Sequence, residues 1–316
     1  MGESKLLHAI DPCVRIFEFC GYANLTIRKD VSLKQNHRAL WILTKYLIIF
    51  VVLAMMFIDS MMGRLESFRD SNGVTIHLLF FLGTYVETFT CVIQSLVCSS
   101  KYLKFMRKME AADELLVKFL SVKIDYDDLR WQLLINLICS FGAYIIGIIT
   151  VVSLLILNYP ERWRVLPSFF VPFIFMRIFM QRFVFFVQLL ATYLDAMINV
   201  VKKSISQQPL LVRKEEKKRC IWLMKRNHAQ TKILRKVYRH LWEASVLINQ
   251  CFNASVAFVM LMNMVLLLYQ GYLMCVDIAN NQVNYRQYVW IIMQAVAIFN
   301  THYHCQHCLN SVIFDD

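Results

Sequence analysis

Runs of about twenty mostly apolar residues decide what this chain can become. Such a run is long enough for an α-helix to cross the hydrocarbon of a bilayer, where every backbone group must be satisfied internally. Six stretches qualify: residues 40–61, 77–97, 134–157, 165–197, 254–276 and the short 288–303. Composition agrees, since 58% of the 316 residues are hydrophobic and only 8 Gly and 5 Pro are available to break helices. The expected fold class is therefore an all-α polytopic membrane protein, one transmembrane domain over residues 1–316 with six spans. The fourth stretch exceeds what a perpendicular span needs, so it should tilt or project, with Pro167 and Pro172 bending its start. No early apolar core follows the N-terminus, so the first span is expected to act as its own insertion signal.

Charge orients the chain. Twenty-six Lys and Arg fall in residues 1–39, the 98–133 loop and the 198–253 loop, against five in the alternate loops. Basic residues collect on the cytosolic side. The N-terminus is thus expected in the cytosol, the topology is inverted relative to G-protein-coupled receptors, and 198–253 is a cytosolic helical loop. Within it Leu234, Val237, Tyr238 and Leu241 recur at helix spacing, with Pro209 parting two helical stretches. The net charge of +12 follows this topology, so nucleic acid is not an expected partner and anionic membrane lipid is.

Three ionisable residues lie deep in the apolar runs, Glu87, Arg177 and Arg182, whereas Lys45 near the inner end of the first span is expected to snorkel. Glu87 lies about 15 Å below the start of its span and Arg177 about 18 Å below its own, at 1.5 Å per residue. Buried charges in a bilayer are functional or paired, and the matching depths predict a Glu87–Arg177 ion pair. Arg182 lies deeper, toward the cytosolic side. The tail segment HYHCQHC, from His302 to Cys308, reads three ways: the end of the sixth helix, a zinc site, or a His-Cys thiol centre. Zinc needs four tetrahedral ligands, which these residues supply only if the helix breaks. A thiol transferase needs an acidic partner and a cysteine-rich domain that are not there. The helix end is the expected reading. No nucleophile with a base and an orienting group is seen, so neither an enzyme nor a cofactor is expected.

Residues 233–269, ILRKVYRHLWEASVLINQCFNASVAFVMLMNMVLLLY, carry a family pattern. A cytosolic helix with Leu-x-x-His-x-x-Leu leads to Ile-Asn-x-x-Phe, then to the fifth span and a closing Tyr. Leu234, Leu241, Ile248, Asn249, Phe252 and Tyr269 fit, Tyr238 stands where His is usual, and Cys305 fits a cysteine common just past the sixth span. The chain resembles the insect gustatory receptor family. That resemblance implies a seven-span receptor in the plasma membrane of chemosensory neurons (dendrite, axon, cell body), assembled as a homo- or hetero-tetramer with related receptors. It also implies a cation channel gated by a small-molecule tastant, whose pocket opens outward among the early spans. Tyr85, Glu87, Tyr144, Phe169, Phe173, Tyr269, Tyr272 and Trp290 are the ligand-binding candidates, with packing or lipid contact the competing reading at each. The family's Thr-Tyr-x-x-x-x-x-Gln-Phe pore helix does not follow before Asp316. A truncated or modulatory subunit that does not conduct alone is therefore an alternative expectation. A membrane transporter is a second one, although no internal repeat supports it.

Overall fold

The computed structural model describes residues 5–20, 25–27, 33–35, 39–65, 71–158, 166–206, 217–279 and 285–310, with some side chains inside these helices left undescribed. Among these residues eight helices and two paired strands follow in order: α1 (Lys5–Phe19), β1 (Leu25–Ile27), β2 (Leu33–Gln35), α2 (Ala39–Leu65), α3 (Ser71–Val97), α4 (Ser99–Leu120), α5 (Tyr126–Asn158), α6 (Leu166–Ser206), α7 (Lys217–Ala279) and α8 (Tyr285–Asn310). The strands pair antiparallel, Leu25 opposite Gln35. Five of the six apolar stretches fall inside one helix each (α2, α3, α5, α7 and α8), and the fourth falls in α6 except for residue 165, which lies outside the described residues. Among the described residues, three stretches are long and apolar enough to cross a bilayer: Tyr126–Leu154, Phe170–Ser204 and His228–Ala279. A shorter apolar stretch runs from Thr44 to Met56.

The 63 residues of α7 make one helix about 95 Å long, roughly three times the hydrocarbon thickness. Its N-terminal part therefore cannot sit in the same slab as residues 254–276. That part is amphipathic instead. Val237, Leu241, Ala244, Ile248, Cys251 and Phe252 are buried on one stripe. The stripe packs on α4, whose Tyr102, Phe105, Met106, Met109, Ala112 and Leu116 are buried in turn. Tyr238, grouped with that stripe by spacing, faces outward at 49% exposure. On the polar rim Lys108 of α4 reaches Glu243 of α7 at 2.5 Å, and Arg239 reaches the same carboxylate at 3.0 Å. These donors hold the Glu243 carboxyl below its usual range. Pro209 lies outside the described residues.

A further amphipathic helix, α1, packs on the bundle. The apolar side of α1 (Leu6, Leu7, Ile10, Cys13, Val14, Phe17) is buried against α5 and α6, with Phe17 edge-on to Phe185 at 5.6 Å. Tyr46 of α2 donates to the Cys20 carbonyl and ties α2 to the end of α1. The end of α4 has Ser121 in the left-handed conformation, φ 52°, with its N–H on the Leu116 carbonyl. Asp125 then caps α5, accepting from the Asp127 and Asp128 amides at 3.1 and 3.0 Å. Asp113 joins three helices, taking the Tyr193 hydroxyl at 2.7 Å and the Tyr126 hydroxyl at 2.8 Å on one oxygen. Burial raises its carboxyl above the ordinary range against the pull of those two donors.

Where α8 crosses α5, Gly147 provides a socket. A Cβ there would lie 2.3 Å from Met293 Sδ and 2.6 Å from its Cγ. Because Cγ is that close, Met293 must leave its rotamer from χ1 outward or α8 must shift. Gly147→Ala is expected to cost about 1–3 kcal/mol. A thermal melt of the solubilised protein checks this, and Met293→Ala in the same chain should recover part of the loss.

Candidate functional site

The inward faces of the helices carry polar residues in an otherwise apolar bundle. On α3 the residues Thr84, Glu87, Thr88, Cys91 and Ser95 recur at three- and four-residue steps and are all buried. Thr88 donates to its own helix at the Thr84 carbonyl, 2.7 Å, and lies 3.3 Å from the Pro172 carbonyl of α6. Deeper, Gln94 donates to the Cys251 carbonyl of α7 at 2.6 Å. Arg182 of α6 donates to Ser95 Oγ at 2.5 Å and lies 3.8 Å over the Tyr102 ring. It is therefore sealed inside the bundle at 1% exposure rather than reaching the surface.

A second polar set joins α5, α6 and α8. Ser140 accepts from Arg177 Nη2 at 3.0 Å and also from Gln181. The Arg177 guanidinium stands 5.8 Å from the Tyr144 ring centre. Closer to the α8 terminus, Asn136 donates to Gln188 at 2.9 Å and lies 3.0 Å from His304 Nε2. With one amide proton on each, His304 Nε2 accepts. Burial favours the same neutral ring, pushing its pKa down, with His307 adding to the push.

Glu87 and Arg177 do not meet. The Thr88–Pro172 contact sets Glu87 level with the Pro172 turn of α6, which puts Arg177 about five residues, or about 7.5 Å, deeper. Equal distances from the predicted span starts matched the two depths only because those starts were taken as level. Arg177 Nη2 is held on Ser140 beside the Tyr144 ring, and neither Arg177 Nε nor Glu87 Oε1 has a hydrogen-bond partner among the described residues. Glu87→Arg and Arg177→Glu are each expected to reduce surface expression, and their combination should not restore it. Surface biotinylation checks this; recovery in the double variant would reinstate the pair.

A profile of the 7tm chemosensory receptor family matches residues 10–312. The chain belongs to that family. Among curated proteins no sequence match was found. The family is one of membrane chemoreceptors rather than enzymes, and it agrees with the gustatory-receptor resemblance carried by residues 233–269.

The ligand candidates of this chemosensory receptor scatter. Tyr85 lies on the α2 side of α3, edge-on to Phe50 at 5.6 Å, and Phe50 also meets Phe89 and Phe175 at 6.4 and 6.2 Å. Glu87 points away from that aromatic group. Tyr144 sits with Arg177, and Phe173 is a buried core residue. Tyr269 is half-buried on α7 and Tyr272 is 65% exposed, so the two do not share an environment. The side chains of Phe169 and Trp290 lie outside the described residues. Of the family-motif positions, Leu241 and Phe252 are buried against α4, whereas Asn249 is exposed. Sequence reasoning passed over Ser140, Gln181, Ser255, Asn263 and Gln294, all polar on bundle-facing stripes. The available signal was their three- and four-residue spacing from apolar neighbours.

The tail is a helix end. The last helix runs unbroken to Asn310 and docks through His304 on Asn136. Burial raises the Cys305 thiol and pushes Cys308 up to about 11, the opposite of what a thiolate nucleophile needs. Among the described residues no group of three His, Cys, Asp or Glu side chains is placed to hold a metal ion.

Proposed function

We propose that this chain is a taste receptor subunit that opens a cation pathway when a small-molecule tastant binds. It is multi-pass in the plasma membrane of chemosensory neurons, with six spans near the predicted positions, a cytosolic N-terminus, and α4 with the first part of α7 beneath the membrane. It assembles as a tetramer with copies of itself or with related receptors. The observation that carries this reading is the family match across residues 10–312. The charge distribution supports the orientation: the basic N-terminal, 98–133 and 198–253 segments share one side. Exposed Trp131 and Trp242 lie near the cytosolic ends of their spans, where headgroups favour indole rings. A buried polar lining gives a ligand something to bind and gives the bundle two ways to satisfy its polar groups, as a gated receptor requires.

Two experiments test this. An N-terminal epitope should label only after the cells are permeabilised; labelling of intact cells overturns the orientation. Cells expressing the chain, alone and with full-length relatives, should pass cation current on exposure to some member of a broad tastant panel. Current only with a partner assigns this chain a modulatory place, and silence in both settings overturns the channel reading.

A further inference from the structure

Two contacts fix how α3 and α7 run past one another. A Cβ on Gly83 would lie 2.8 Å from Met262 Cε, and Gln94 donates to the Cys251 carbonyl. The helices are therefore antiparallel, with residue 83 opposite 262 and residue 94 opposite 251. At 100° per residue, Gly83, Glu87 and Gln94 share the stripe of α3 that faces α7. Cys251, Ser255 and Met262 share the facing stripe of α7. Glu87 and Ser255 thus lie between the two contacts, offset by three residues, about 4.5 Å along the axis. Asn263 lies about 7.5 Å from the Glu87 level toward the other end of the seam and about 100° round α7 from Met262, on the side that Phe252 turns toward α6.

All three are sealed, at 1%, 2% and 4% exposure. Glu87 Oε1, Ser255 Oγ and Asn263 Oδ1 have no hydrogen-bond partner among the described residues. The carboxylate and amide oxygens accept only, and the Ser255 hydroxyl accepts as well as donates. Buried polar groups are otherwise satisfied, and an unmet one costs about 1–3 kcal/mol, more when it is charged. The arginines nearest in depth are engaged elsewhere: Arg177 on Ser140, Arg182 on Ser95 and Tyr102. What the seam lacks is a donor that carries positive charge.

We propose that the α3–α7 seam binds the ammonium group of an aliphatic amine. The Glu87 carboxylate neutralises its charge, Ser255 Oγ accepts one N–H, and Asn263 takes a second donor farther along the ligand. A linear diamine therefore fits better than a monoamine. Because the acceptors are sealed, the amine enters only as α3 and α7 part. Binding thereby acts on the helix whose other end packs on α4.

The assignment deepens the tastant-gated reading and rests on it. It is tested without current, on the purified receptor in lipid nanodiscs, by thermal shift and isothermal titration. The probes are 1,5-diaminopentane, pentylamine, 1,5-pentanediol and sodium chloride. The diamine should raise the melting temperature by several degrees at saturation, pentylamine less, and the diol and sodium not at all. Glu87→Gln should weaken diamine binding by about 30-fold or more, and Ser255→Ala by about tenfold. Ser255→Ala decides the matter if Glu87→Gln fails to fold. No amine shift, or affinity unchanged in these variants, overturns the site; an equal shift with sodium or the diol overturns the ammonium assignment. Amine binding without current would sink the channel reading alone, and tastant-evoked current without amine binding would sink this site alone.

Discussion

Phe252→Ala is expected to destabilise the receptor by about 3–5 kcal/mol. Phe252 is 1% exposed, at the joint where α4, α6 and α7 meet. Its ring lies 5.5 Å from Tyr102, 5.3 Å from Phe179, 5.3 Å from Phe183 and 5.8 Å from Phe186. Aromatic pairs of this kind add about 0.5–1.5 kcal/mol each beyond the area they cover. Around a membrane bundle lipid tails are as apolar as the core, so close packing supplies most of the stability and a cavity is felt in full. Phe252→Leu keeps much of the volume and should cost about 1–2 kcal/mol. Melting of detergent-solubilised fluorescent fusions measures both. An alanine variant that melts with the wild type but no longer responds to ligand would move Phe252 from the packing of this joint to the gating step.

The same residue shows what the sequence could and could not convey. Long apolar runs located α2, α3, α5, α6, α7 and α8, because a helix in hydrocarbon needs apolar residues on all sides. The helices α1 and α4 escaped notice. Their apolar residues occupy one stripe, and the charges of the opposite face lower the average over any window. That the basic segment before the fifth span is continuous with it was expected; that Tyr238 faces outward was not, since spacing alone cannot tell the edge of a stripe from its centre. Register failed for a different reason. Depth counted from the ends of apolar runs carries an error of several residues, whereas an ion pair tolerates less than one turn. Thr88 against Pro172, rather than any feature of composition, sets Glu87 and Arg177 at different heights. The facing stripes that hold Glu87 and Ser255 needed the same kind of information: two tertiary contacts to fix one helix against another.

Arg182→Lys is expected to be more damaging than Arg182→Met, the reverse of what charge conservation predicts. The Arg182 guanidinium lies 3.8 Å over the Tyr102 ring and 5.7 Å from that of Phe186, while Nη1 donates to Ser95. Tyr102 and Phe186 are themselves stacked, 5.5 Å apart and 6° from parallel. A flat, weakly hydrated cation suits this aromatic wall. A lysine ammonium is a strongly hydrated point charge that cannot stack, so it keeps the desolvation cost and loses the compensation. Arg182→Lys should therefore cost about 2–3 kcal/mol. Methionine fills similar space with no charge to bury, and replacing buried ions by apolar groups of like volume is often neutral or stabilising. Arg182→Met should melt within about 1 kcal/mol of the wild type. Ser95→Ala, which removes only the hydroxyl acceptor, should fall between them. If methionine destabilises as much as lysine, the stacked geometry is not what makes a buried arginine tolerable here. If methionine folds and reaches the surface but abolishes the ligand response, the charge is retained for signalling and not for stability.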